Sequence, residues 1–139
     1  MKAVTEHIRV STKGNSDIVD VSGKLEALVR SSGITSGTVT AFVVGSTAGM
    51  TTIEYEPGLV QDFKDALKRI APTNVRYQHN ELNGDDNGHA HVCAGVLGPS
   101  VVIPVISGRL TLGTWQQAIL MDFDTRPRNR EIIVQIIGA

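Results

Sequence analysis

The fold is decided by short apolar segments in the C-terminal third of the chain: His89-Ala-His-Val-Cys-Ala-Gly-Val-Leu97, then Gly98-Pro99, then Ser100-Val-Val-Ile-Pro-Val-Ile106. Apolar segments that are separated by Gly and Pro are typical of successive strands joined by turns. The pattern predicts strands over these ranges: His89–Leu97, Ser100–Ile106, Arg109–Thr111, Trp115–Phe123 and Arg130–Ile137. We therefore expect this third of the protein to consist of β-structure.

The N-terminal part alternates between predicted strands and helices. Strands are predicted over Thr5–Thr12, Gly37–Val44 and Met50–Tyr55. Helices are predicted from an N-cap at Ser16 to a stop at Gly33, and from Pro57 to Pro72, because both segments carry apolar residues at helical spacing. Together these elements predict one α+β domain over residues 1–139, with two main helices that cover a mostly antiparallel sheet or sandwich.

Composition excludes several classes of protein. The 139 residues carry a formal net charge of −1, and aromatic residues make up 4% of the chain, so neither a basic surface nor a stacking platform for nucleic acid is expected. No apolar stretch is long enough for a membrane span, and no secretory leader is visible. The single cysteine fits a reducing, cytoplasmic setting.

The candidate metal site is a histidine-rich segment that contains His79, His89 and His91. On a strand, His89 and His91 would point to the same face, and the intervening loop could return His79 to them. Three imidazoles form a common open metal site, for which zinc is the default ion. The alternative is that these histidines are surface or subunit-interface residues.

Acidic residues in the same segment are candidates for catalysis. Glu81 and Asp85 could serve as general acid or base, orient a metal-ligating histidine, or hold Mg²⁺ for a diphosphate substrate. The surrounding Asn83–Gly88 also has the composition of an ordinary solvated turn. Both interpretations remain open at this point.

Three further groups are candidates for binding an anion. Arg126 and Arg128 lie in a turn before Arg130, and a guanidinium fork suits phosphate, although an exposed turn or an inter-subunit salt bridge would use the same residues. The other two groups are hydroxyl and amide side chains next to glycines: Ser46 and Thr47, and Thr114 and Gln116. These could equally cap turns, with Trp115 packing into the core or an interface.

Several motifs in order resemble those of the YjbQ family. They are Gly45-Ser-Thr-Ala48, Tyr77-Gln-His79, His89-Ala-His91, Gly98-Pro-Ser100, Ile103-Pro-Val105, Gly108-Arg-Leu-Thr-Leu-Gly-Thr-Trp-Gln116 and Asp122-Phe-Asp124. The resemblance implies a compact α+β fold with a curved sheet, a homotrimer, and a histidine cluster that often binds a metal such as zinc. It also implies weak thiamine-phosphate synthase activity, which joins an aminopyrimidine diphosphate to a thiazole phosphate and releases pyrophosphate.

The chain departs from this family at two positions of the histidine cluster. Many members have His-Thr-Thr-Ala where this chain has Gly45-Ser46-Thr47-Ala48, and Asp where it has His89. We infer that His89 replaces the missing imidazole, so that three nitrogens are kept. The resulting hypothesis is a small metalloenzyme for a phosphorylated molecule, and its alternative is a non-catalytic binding protein for a metal or a small phosphorylated metabolite.

Overall fold

The computed structural model describes all residues from Met1 to Ala139 and contains eight strands and four helices. The strands are β1 (Lys2–Thr12), β2 (Asp17–Asp20), β3 (Ser36–Val43), β4 (Ala48–Ile53), β5 (Ser100–Ile106), β6 (Arg109–Leu110), β7 (Gln117–Asp122) and β8 (Arg128–Gly138). The helices are α1 (Ser22–Ser32), α2 (Pro57–Ile70), α3 (Gln78–Asn83) and α4 (Gly88–Leu97).

The strands form two antiparallel sheets. The first has the order β1-β8-β3-β5-β6, and the second has the order β2-β7-β4. Strands β1 and β8 pair along their whole length, from Lys2 opposite Gly138 to Thr12 opposite Arg128. The two ends of the chain therefore lie side by side in the first sheet.

Strand β7 is the centre of the molecule because both of its faces are buried. Ala118 and Leu120 face a core that lies between the two sheets, together with Leu25 and Val29 of α1. Ile119 and Met121 face a second core beneath α2 and α4. The continuous apolar run of β7 follows from this position, since a strand that is covered on both sides has no solvent face.

The helices follow from local sequence. Glu56 caps α2 by accepting hydrogen bonds from the backbone N–H groups of Gly58 and Leu59, and Pro57 occupies the first turn. Helix α3 ends where Gly84 adopts a left-handed conformation at φ 62°. No helix has the length and apolar character that crossing a bilayer requires.

The fold class predicted from sequence is confirmed, and the strand prediction over His89–Leu97 is wrong. That segment is α4, whose buried residues Ala90, Cys93 and Ala94 recur at helical rather than alternating spacing. The helix predicted to begin at Ser16 starts at Ser22, because residues 17–20 pair with β7 as strand β2.

Candidate functional site

A buried network of charges lies at the end of β7. Asp122 is fully buried, and Arg130 of β8 reaches it with two hydrogen bonds, Nε to Oδ2 at 2.7 Å and Nη2 to Oδ1 at 2.8 Å. The Thr12 hydroxyl donates to Asp122 Oδ2 at 2.5 Å, and the backbone N–H of Asp124 donates to Oδ1 at 3.0 Å. Burial raises the pKa of Asp122, but the hydrogen bonds from Arg130, Thr12 and the Asp124 N–H lower it by more. The pKa of Asp122 therefore lies below its usual range.

Asp124 is the second carboxylate of this network. Its Oδ2 accepts from the Thr47 hydroxyl at 3.1 Å and from Arg128 Nε at 2.9 Å, and its Oδ1 accepts from the Thr125 N–H at 2.8 Å. Burial raises its pKa, but the bonds from Thr125, Arg128, Asn87 and Thr47 together lower it to about 2. Asp124 is therefore an anion at neutral pH and has little capacity to act as an acid or base.

One polar atom beside the network lacks a partner. The Asn87 side chain donates through Nδ2 to Asp124 Oδ1 at 3.3 Å, while its Oδ1 is buried without a hydrogen bond in the protein. Buried carbonyl oxygens are normally satisfied, so a donor from outside the chain fits this position. Asn87 also lines a neighbouring cavity.

That cavity has a volume of about 590 Å³ and is lined only by polar residues and glycine. Its lining is Gly84, Asp85, Asp86, Asn87, Asp124, Thr125, Arg126 and Arg128. The acidic loop and the arginine turn are far apart in sequence, and the fold brings them together here. The phosphate-binding candidates Arg126 and Arg128 thereby share one cavity with the catalytic candidate Asp85. We call this space the polar cavity.

Two of the three candidate metal ligands are adjacent. The imidazole rings of His79 on α3 and His91 on α4 lie 4.6 Å apart between centroids and are tilted by 42°. His79 Nδ1 is 3.0 Å from Asn80 Oδ1, which also accepts the Gly88 N–H at 2.8 Å. This hydrogen bonding fixes one nitrogen of His79 and leaves the other free to bind a ligand.

His89 points to the other side of α4, and this corrects the geometric argument made from sequence. Side chains two residues apart on a helix differ by about 200° in direction around the helix axis, whereas a strand would have kept both imidazoles on one face. His89 packs near Tyr77, with ring centroids 6.4 Å apart, and lines a different cavity with Lys68. No group of three or more His, Cys, Asp or Glu side chains within the chain is arranged to hold a metal ion.

The other candidates are dispersed. Thr114 and Gln116 lie before β7, at the opposite end of that strand from Asp122. Gln116 there bonds to Thr52 and Gly113, and Trp115 is 75% exposed instead of packed in the core. Ser46 is exposed, whereas Thr47 is buried and accepts from Arg130 Nη2 at 2.6 Å. Glu81 is paired with Arg76 outside the polar cavity.

Gly45 is constrained by the same network. Its φ is +132°, and a Cβ built on it would lie 2.8 Å from Arg130 Nη1. Any side chain at position 45 would therefore require the guanidinium of Arg130 to move.

Sequence reasoning missed the importance of Asn87, Asp122 and Asp124. The signal for the two aspartates was present, because Asp122 and Asp124 directly follow an apolar run that ends the central strand. A buried carboxylate needs a cation and hydrogen-bond donors, so such a placement predicts a network with the nearby arginines. Asn87 lies in a loop whose composition is that of a solvated turn, so its burial had no comparable signal.

These features define a two-sheet α+β protein with a buried aspartate–arginine network beneath an open polar cavity. The chain matches the family described as UPF0047 protein YjbQ-like over residues 6–139. It therefore belongs to the YjbQ family.

Relatives and solved structures agree with that placement. A UPF0047 protein of Methanothermobacter thermautotrophicus is 33% identical over 138 residues, covering 99% of this chain and 94% of the relative. The crystal structure of a YbjQ-like protein of unknown function from Sulfolobus solfataricus is 37% identical, with a TM-score of 0.94 and coverage of 99% of both chains. That of a hypothetical protein from Aeropyrum pernix is 32% identical, with a TM-score of 0.91 and coverage of 98% of this chain and 99% of the other.

Proposed function

We propose that the polar cavity binds a small phosphorylated molecule and that the protein acts on it as a transferase of the thiamine-phosphate synthase type. The observation that carries the proposal is the meeting of Asp85, Arg126 and Arg128 in one cavity. Arginine forks suit a diphosphate, and Arg126 forms no ion pair within the chain, so its guanidinium is free for a ligand.

The cavity's charges suit departure of pyrophosphate. In the proposed reaction the bond between the aminopyrimidine methylene carbon and the diphosphate oxygen breaks, and the thiazole nitrogen forms a new bond to that carbon. Arg126 and Arg128 would stabilise the negative charge that grows on the leaving pyrophosphate. Asp85 and Asp86 at the mouth would bind Mg²⁺ carried by the diphosphate, because carboxylate oxygens are the ligands that this ion prefers.

We further propose that His79 and His91 hold a divalent metal, with zinc as the first candidate. Their adjacent rings fit two nitrogen ligands of one ion, while His89 faces away and does not join them within one chain. A neighbouring subunit of the homotrimer that the family resemblance implies would supply a further ligand. Neither histidine lines the polar cavity, so an ion held by the pair would supply Lewis-acid chemistry only to a ligand bound beside the two rings.

The alternative function is binding without catalysis, and the exposure of the acidic candidates favours it. Asp85 is exposed, and its Oδ1 accepts the Asp86 N–H at 2.8 Å; Glu81 is exposed and paired with Arg76. Neither carboxylate lies in the buried environment that adjusts a catalytic acid or base. A binding protein for a phosphorylated metabolite would use the same cavity and arginines.

Titration calorimetry with pyrophosphate, with and without Mg²⁺, tests the site. Arg126→Met should weaken binding about tenfold or more, since a charge-assisted bond is lost. Arg69→Met, which removes an exposed arginine from the last turn of α2, should leave the affinity unchanged. Equal affinities of wild type and Arg126→Met, or no binding of pyrophosphate, would refute the site.

Two further assays separate the proposed activities. Formation of thiamine phosphate from its two phosphorylated precursors should occur with wild type and be lost in Asp85→Asn; pyrophosphate binding without turnover would support the non-catalytic alternative. Metal analysis of untagged protein should show zinc that is lost in His79→Ala and His91→Ala but kept in His7→Ala, where the fourth histidine pairs with Glu131 on the first sheet. Metal content that is equal in all three variants would contradict the assignment.

A further inference from the structure

A second cavity lies on the opposite side of α4 from His91. It has a volume of about 250 Å³ and is enclosed by the turn before β2, the C-terminal part of α2 and the His89 face of α4. Its floor is apolar and consists of Leu67, Ala71, Cys93 and Phe123. Its rim is polar and consists of Asn15, Ser16, Lys68, Thr73 and His89. We call this space the mixed cavity.

One wall of the mixed cavity is held in an unusual backbone conformation. Asn15 and Ser16 follow Gly14 and adopt φ values of 52° and 70°, the left-handed region that side chains other than glycine rarely occupy. Their N–H groups donate to the carbonyls of Asp124 and Asp122, each at 2.7 Å. The end of β7 thus fixes this turn. Strain of this kind persists only where surrounding structure enforces it, and it is concentrated at ligand sites.

The charge of the rim specifies the ligand's charge. Lys68 is the one side chain of the lining that carries a permanent charge, and it is exposed at the mouth. Ser16, Thr73, Asn15 and the imidazole of His89 add neutral groups that can donate hydrogen bonds. One ammonium among neutral donors matches a single negative charge better than a phosphate dianion, for which two or more cations are the usual partners.

The size and floor of the mixed cavity specify the remainder of the ligand. A volume of about 250 Å³ is below the range of drug-sized ligand pockets and corresponds to about eight molecules of liquid water. We propose that the mixed cavity binds a small aliphatic monocarboxylate. Its carboxylate bonds to Lys68 and Ser16 at the rim, and its short chain lies on Leu67 and Phe123.

The test is a titration of the intact protein with acetate, propionate and butyrate, followed in amide NMR spectra and by calorimetry. Each added methylene should tighten binding about fourfold, because its burial contributes about 0.8 kcal/mol. Shifted amides should include those of Ser16, Lys68 and Phe123. Butylamine and inorganic phosphate should not shift them, and stronger binding of phosphate than of butyrate would overturn the proposal.

Lysine variants on α2 provide the matched comparison. Lys68→Met keeps most of the aliphatic stem and should weaken butyrate binding about tenfold or more, since the only ammonium of the rim is lost. Lys64→Met removes a lysine one turn earlier that does not line the cavity, and should bind butyrate as wild type does. Equal affinities of the two variants would refute the role of Lys68, and equal affinities for acetate and butyrate would refute the apolar subsite.

Discussion

Replacing Arg130 with methionine should destabilise the protein severely, because the change leaves a buried carboxylate without its cation. Asp122 is fully buried, and Arg130 supplies two of its four hydrogen bonds, at 2.7 and 2.8 Å. Methionine fills much of the same volume, so the lost interaction is mainly electrostatic. Removing one partner of a buried ion pair costs about 3 to 5 kcal/mol, which is a large part of the stability of a typical domain.

Urea unfolding followed by circular dichroism measures this cost. Arg130→Met should lower the midpoint with little change in the denaturant slope. Arg126→Met replaces an exposed arginine without an ion pair in the turn before β8, and should stay within about 0.5 kcal/mol of wild type. In Arg130→Met, burial then acts on Asp122 without its cation and raises the pKa of that carboxyl in the folded state. The destabilisation relative to wild type should therefore shrink as the pH falls from 7 toward 4.

A double variant distinguishes the electrostatic argument from a loss of packing. Asp122→Asn combined with Arg130→Met removes both charges, so its destabilisation should be smaller than the sum of the two single variants by about 2 kcal/mol or more. Additive effects, or a cost of Arg130→Met that equals that of Arg126→Met, would show that the ion pair does not stabilise the fold.

The remaining predictions concern acid stability and three glycines. The pKa of Asp124, about 2 against an ordinary 3.8, contributes up to about 2 kcal/mol of stability that is present above pH 4 and lost as the pH falls toward 2; Asp124→Asn should remove this part of the acid dependence in unfolding experiments at several pH values. Gly88→Ala should lower the melting temperature, because its Cβ would lie 2.8 Å from the Cβ of Tyr77, whereas Gly95→Ala in the same helix meets nothing within 4 Å and should raise stability by up to about 1 kcal/mol; equal shifts would contradict the packing argument. Gly45→Ala should cost about 1 to 3 kcal/mol in urea unfolding because of its positive φ and the close guanidinium of Arg130, and an unchanged midpoint would show that Arg130 moves freely.

Most strands of the fold were predictable because their patterns are governed by local burial, whereas β2 lies inside the segment predicted as the first helix. Ser100–Ile106 is predicted and observed with the same bounds, since alternate residues face the core between the sheets. The strand prediction for the segment that forms α4 was wrong because short apolar runs have no clear period, and because Val92 and Val96 favour a strand by propensity. Tertiary packing against the second sheet decided in favour of the helix, whose small residues Ala90 and Ala94 allow close approach.

The residues of the candidate site were predictable from their chemistry, but their positions relative to one another were not. The residues Asp85, Arg126 and Arg128 were recognised individually, but only the fold brings their two loops to one cavity. The prediction that His89 and His91 share one face required a strand, and it is wrong because the segment is a helix. Thr114 and Gln116 were placed with the binding residues because of their composition, and β7 separates them from the polar cavity by its whole length.

Residues 88–97 form a helix where a strand was predicted, and this changes the role that His89 can have. A helix places His89 and His91 on opposite faces, so His89 lines the mixed cavity while His91 lies beside His79. Both cavities nevertheless depend on Asp124, just after β7. At the polar cavity its carboxylate pairs with the guanidinium of Arg128. At the mixed cavity its backbone carbonyl accepts a hydrogen bond from the N–H of Asn15. His89 therefore belongs to the rim of the mixed cavity and supplies no ligand to the His79–His91 pair. Asp124→Asn changes the carboxylate and keeps the backbone carbonyl, so it should weaken pyrophosphate binding and leave butyrate binding unchanged. Lys68→Met should weaken butyrate binding alone, and Arg126→Met should weaken pyrophosphate binding alone.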